Sequence, residues 1–266
     1  MNKYLTMLLS CAVAATISTA ARAQTDLGFA IDGEGYYYEF DEPGFDRQSG
    51  PYGRIGGSYT TTFLDTFWTA DLQLGIGVTD FVSNGAGQIS GIPEYSSELR
   101  LIATRDIPLN DTVILQPFLG LGYRVLLDNA NGMTSSTGTP AIDRVTQYLY
   151  WPIGVGLSFP YASVTFKPSF EYDFLIDGDV TSYTAGVAGI QNNLNNNLGE
   201  GSGYRVRLDT EVQTASGKLT FGPFLRYWSL RVSDLSPIEA GGQVVAFGFE
   251  PINHSWEAGF GAALNF

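Results

Sequence analysis

The sequence predicts an all-β chain closed into an antiparallel transmembrane β-barrel of about ten strands, within a range of about eight to twelve. Three observations carry this expectation. Apolar residues recur at every second position over stretches long enough to cross a bilayer as tilted strands, and the connections between those stretches alternate between short and long. The chain also ends SWEAGFGAALNF, which places Trp256, Ala258, Phe260, Ala262, Leu264 and Phe266 on one face of a strand and small or polar residues on the other.

Taken in order, the alternating stretches are 28–39, 52–63, 67–81, 95–105, 113–127, 145–159, 162–176, 204–212, 218–232 and 247–266. Each shows a bulky apolar face and a small or charged one. In the third, Trp68, Ala70, Leu72, Leu74, Ile76 and Val78 alternate with Thr69, Asp71, Gln73, Gly75, Gly77 and Thr79. In the eighth, Tyr204, Val206, Leu208, Thr210 and Val212 alternate with Arg205, Arg207, Asp209 and Glu211, charges that must face water or each other. The connections 64–66, 106–111, 160–161 and 214–217 are short, while 41–50, 82–94, 128–144, 177–203 and 233–246 read as five long loops, all at the opposite end of the barrel. Pro117, Pro168 and Pro223 fall at one offset in VILQPFLGLGY, VTFKPSFEYDF and LTFGPFLRYWS, which sets them at a shared height near the short-turn rim.

The amino end, MNKYLTMLLSCAVAATISTAARA, has a basic residue, a short apolar run and an A-x-A site, and reads as an export signal over 1–23 that is removed to leave residues 24–266 as one barrel domain. The only cysteine, Cys11, lies within it after Leu8, Leu9 and Ser10, a run that also resembles a lipoprotein cleavage box. No later segment offers the ~20 apolar residues a membrane helix needs. With 32 Gly, 17 Phe, 15 Tyr and only 15% charged residues, the composition fits aromatic-rich strands joined by many turns. A net charge of −13 excludes nucleic-acid binding through a basic footprint.

Alternation alone does not say which face points inward. The polar face carries Gly75, Gly77, Gly120, Gly122, Gly154, Gly156, Gly259 and Gly261, small residues suited to a crowded lumen, so the bulky face is expected to meet lipid. The charges on the inner face have both signs: Asp71, Glu98, Arg100, Arg124, Lys167, Glu171, Asp173, Arg205, Arg207, Asp209, Glu211, Arg226 and Glu257. Two readings stand: a paired network that closes the bore, which the mixture of signs favours, or charges hydrated in a narrow channel.

On these residues the chain resembles a bacterial outer-membrane β-barrel of the porin-like type, and its strand number is similar to that of the omptin group. The ending, with Trp256, Phe260, Leu264 and Phe266, resembles the signal by which the outer-membrane assembly machinery recognises its clients. The resemblance implies a Gram-negative cell outer membrane location, lipid and lipopolysaccharide as surroundings, the assembly machinery as a partner during biogenesis, and no cofactor. Omptins cut peptides with acidic pairs and a His-Asp pair at the outer rim; here the single histidine, His254, is followed by no acid before Glu257, so that motif is not reproduced. A lipid A deacylase constellation is not met either, because His254 and Ser255 are adjacent and point to opposite faces of a strand.

The sequence therefore leads to a non-enzymatic structural or surface-interaction barrel, with a small porin as the alternative and a barrel enzyme as the second. Asp32, Gly33, Glu34 and Gly35 match no calcium loop. Tyr36, Tyr37 and Tyr38 read as a membrane-interface aromatic girdle. Val187, Ile190, Leu194 and Leu198 in the longest loop allow a short amphipathic turn, against the reading of an Asn-rich loop with little order, which is favoured.

Overall fold

The computed structural model describes residues 28–266; the stretch 1–23 expected to be an export signal, with Cys11, lies outside the described residues. The strands are β1 (Gly28–Glu42), β2 (Asp46–Phe63), β3 (Thr66–Ser83), β4 (Gly87–Thr104), β5 (Ile107–Pro108), β6 (Ile114–Asp128), β7 (Arg144–Tyr161), β8 (Val164–Ser182), β9 (Leu194–Asn197), β10 (Gly201–Thr214), β11 (Gly217–Leu230), β12 (Ser236–Ala240), β13 (Gln243–Gly248) and β14 (Asn253–Asn265). All pairings are antiparallel. The order β10-β11-β14-β1-β2-β3-β4-β6-β7-β8 closes on itself because β8 also pairs with β10, so ten strands form a barrel with no open edge. β5 and β9 are short additions beside β6 and β8, and β12 and β13 form a separate hairpin.

The wall is built by alternation. Leu72, Leu74, Ile76, Leu99, Leu101, Leu119, Leu121, Trp151 and Ile153 point outward and exposed, an apolar exterior of the kind that hydrocarbon covers. The last strand follows the same rule, with Phe260 exposed on the outer face and Ser255 and Glu257 buried. The two-residue turn at Leu64 and Asp65 holds both residues at positive φ, as a tight hairpin between right-twisted strands requires.

Several expectations need correction. Residues 41–50 and 82–94 are not long loops: β1 and β2 run on until only 43–45 separates them, and β3 and β4 until only 84–86 does. Three long connections remain at that end instead of five, namely 129–143, 183–200 and 231–252. The stretch 247–266 is broken by 249–252, with β13 ending before it and β14 starting after it. Residues 187–198 form no helical turn; Leu194–Asn197 is strand β9, with Leu198 fully buried beside it. The asparagines there are bonded rather than loose: the Asn192 Nδ2 donates to the Pro237 carbonyl at 2.7 Å and the Asn196 Nδ2 to the Asp234 carbonyl at 2.9 Å. Tyr36 and Tyr38 are inside the barrel, and only Tyr37 of the three faces out.

Candidate functional site

The inward residues of β1 give the layers of the lumen in sequence. From the short-turn end they are Ala30 and Asp32 beside a cavity, Glu34 in a charge cluster, Tyr36 and Tyr38 in an aromatic layer, and Glu42 in a second cavity at the far end.

The register of the sheet sets the charges beside one another. Glu171, Arg205, Arg226 and Glu257 are successive neighbours across β8, β10, β11 and β14, and Asp71 sits opposite Arg100 while Glu98 sits between Gln73 and Arg124. Opposite charges on adjacent strands attract, and the acids on either side offset the like pair Arg205 and Arg226, which face each other across β10 and β11. Arg54 donates to Glu34 at 3.1 Å and to Glu257 at 3.1 Å; Arg226 pairs with Glu34 at 2.9 Å and with Glu257 at 3.0 Å. Arg205 pairs with Glu171 at 2.9 Å, with Asp173 at 3.2 Å and through two nitrogens with Glu98, and Arg100 pairs with Glu171. Arg124 donates to Glu257. β6 and β14 stand five strands apart in a ten-strand ring, so this pair crosses the bore from wall to wall.

The cluster has as many acids (Glu34, Glu98, Glu171, Asp173, Glu257) as arginines (Arg54, Arg100, Arg124, Arg205, Arg226), so it is close to neutral, and ten charges withdrawn from water together compensate one another. Tyrosines tie it to the layer above. The Tyr150 hydroxyl donates to Glu98 at 2.6 Å and accepts from Arg205 at 2.7 Å, and the Tyr36 hydroxyl accepts from Arg54 at 2.9 Å.

That upper layer is aromatic and buried. Tyr36, Tyr38, Tyr52 and Phe224 form one cluster, and Tyr148, Tyr150, Trp228, Leu230, Leu198, Val180 and Leu126 form another. The inner glycines have a specific purpose: a Cβ on Gly122 would strike the Tyr150 ring, one on Gly77 the Tyr52 ring and one on Gly154 the Phe118 ring. They make room for large inward neighbours.

Of the residues the sequence singled out, Glu98, Arg100, Arg124, Glu171, Asp173, Arg205, Arg226 and Glu257 are brought into this cluster. Arg207 reaches it through Glu34 at 2.6 Å while also pairing with Asp209 at 2.9 Å, and Lys167 and Glu211 pair separately lower down. Asp71 lines the lower cavity beside Arg100, its Oδ1 without a hydrogen bond. Sequence reasoning missed Glu34, Arg54 and Tyr150. Arg54 and Glu34 occupy inward positions opposite each other in the β1–β2 register, so extending the alternation of 52–63 to its charges would have found Arg54.

Below the cluster, a cavity of about 970 Å³ reaches the short-turn rim near Gly28, Ser158, Thr165 and Phe266, with Glu34, Glu98, Arg205 and Arg226 among its lining residues. His254 is on the outward face of β14, its Nδ1 2.9 Å from the Tyr227 hydroxyl, and Ser255 is buried on the inward face, so the two do not meet. Among the described residues no group of three His, Cys, Asp or Glu side chains could hold a metal ion.

The closed ring of ten antiparallel strands has the architecture of bacterial outer-membrane barrels. The crystal structure of the outer membrane protease OmpT from Escherichia coli superposes with a TM-score of 0.56 at 10% sequence identity, covering 94% of this chain and 100% of that one. The β domain of the Bordetella autotransporter BrkA aligns at a TM-score of 0.42 and 17% identity (91% of this chain, 100% of that one), and the transport unit of the Escherichia coli autotransporter AIDA-I at 0.43 and 8% identity (99% and 96%). No family model matches the sequence, and no curated protein does.

Proposed function

We propose that this chain is an integral barrel of the bacterial outer membrane whose lumen is closed to solutes, a structural or surface-interaction protein that displays its long connections outside the cell. The observation that carries this reading is the charge cluster, above all the Arg124 to Glu257 pair spanning the bore beneath an aromatic layer. An export signal, the apolar exterior and the terminal Phe266 stripe support passage to that membrane through its assembly machinery, with lipid and lipopolysaccharide around the wall. The barrel is read as non-enzymatic because its one histidine is engaged by Tyr227 on the lipid side. A small porin is the second reading, favoured by the 970 Å³ cavity that already occupies part of the lumen.

Single-channel recording from the refolded protein in a planar bilayer separates the two. The closed reading expects a silent bilayer when folding is shown independently by heat-modifiable gel mobility. Discrete, reproducible conductance steps would overturn it and establish the porin.

A further inference from the structure

The far end of the lumen holds a second cavity, of about 480 Å³, between the extended hairpins and the β12–β13 hairpin. Its size is in the range of small-molecule sites. Its upper wall is apolar: Phe81, Ile89 and Ile92 pack into the rim, while Phe45, Phe247 and Phe249 stand largely exposed around the mouth. Its polar residues are unbalanced. Glu42, Asp46, Asp128 and Glu250 line it against a single base, Arg144, which already pairs with Glu250 and lies 3.9 Å from Glu42. Glu42, one of the lining residues, is 4% exposed; its Oε1 makes no hydrogen bond and has only Arg144 at 3.9 Å as an ion-pair partner, and burial together with the neighbouring Glu250 raises its pKa to about 8. A buried carboxylate oxygen in that state costs free energy until a donor reaches it.

We propose that this vestibule binds a small amphipathic organic cation, a protonated amine carried on an apolar body. The ammonium would donate to Glu42 in the acidic floor, and the body would lie among Phe45, Phe247 and Phe249, whose faces also attract a cation. The alternatives fit less well. A metal ion needs several ligands at once, and no three carboxylates converge here among the described residues. An anion would have only Arg144, which two carboxylates already hold. A neutral apolar molecule would leave the excess of acids over Arg144 uncompensated. The inference does not depend on whether the lumen conducts.

The test is equilibrium dialysis of 2-phenylethylammonium against the purified protein in zwitterionic nanodiscs, with empty nanodiscs as the blank and with 2-phenylethanol and 3-phenylpropanoate as neutral and anionic counterparts. Saturable retention of the ammonium at least about tenfold tighter than either counterpart is expected, the factor that one charge-assisted hydrogen bond supplies. Glu42→Gln should remove about that factor and leave retention of the alcohol unchanged. Should Glu42→Gln fail to give a heat-modifiable barrel, Asp46→Asn and Phe45→Ala, at a half-buried and an exposed position, carry the comparison: the first should narrow the preference for the ammonium over the alcohol, the second should weaken both. Equal retention of ammonium and alcohol, tighter retention of the carboxylate, no saturable retention, or foldable variants that bind like the parent would overturn the proposal.

Discussion

Replacing Glu257 by Ala tests whether the charge cluster is a dry structural unit. Glu257 is 2% exposed and accepts from Arg54, Arg124 and Arg226. The three arginines are not equally affected by its loss. Arg54 and Arg226 retain Glu34, at 3.1 and 2.9 Å, whereas Arg124 has no other ion-pair partner among the described residues. The cost is therefore that of about one stranded buried charge rather than three, or about 3 to 5 kcal/mol. Equilibrium urea unfolding of the barrel in lipid vesicles, followed by tryptophan fluorescence, measures it, since Trp228 lies in the layer above. Arg231→Ala serves as the reference, because the Arg231 to Glu200 pair is more than 70% exposed on both sides and should cost under about 0.5 kcal/mol. A Glu257→Ala loss no larger than that of Arg231→Ala would mean the cluster is hydrated like the surface pair, and the argument for a closed lumen would fail with it. Adding Arg124→Ala to Glu257→Ala should recover part of the loss, because the stranded charge is then gone.

Other outcomes follow from single contacts. Gly122→Ala puts a Cβ into the Tyr150 ring and should cost about 1 to 3 kcal/mol in the same unfolding assay, with less effect when Tyr150 is also shortened to Ala. Leu121→Arg, on the exposed outward face at the middle of β6, should cost about 2 to 4 kcal/mol in a bilayer; a neutral result would show that this face is not covered by hydrocarbon. His254→Ala should leave cleavage of a fluorogenic dibasic peptide at the blank rate, as in the parent; parent cleavage above the blank that His254→Ala abolishes would revive the enzyme reading.

On the reading of a membrane barrel, how far the sequence could be read depended on where the wall meets lipid. Inside the hydrocarbon band each strand must be oily on one face, and Trp68 to Val78 or Tyr204 to Val212 show it plainly. Beyond that band the outer face is no longer oily and the inner one is polar, with Gln48 and Glu42 buried, so Asp46, Arg47, Gln48 and Ser49 carry no apolar stripe and read as loop, although they pair in register with Glu42, Asp41, Phe40 and Glu39. The same limit explains Tyr36, Tyr37 and Tyr38. Three aromatics in a row look like a girdle until alternation is enforced, and alternation sends the outer two inward. The ionic partners were the least legible part. Inward parity selects the charged set one strand at a time, but Arg124 and Glu257 are 133 residues apart and meet only because closure places β6 opposite β14. Their pairing belongs to the closed ring, and a register slip of one residue on either strand would turn that strand's charge to the outer face, away from its partner. The cluster thus specifies the register of the barrel as firmly as the barrel assembles the cluster.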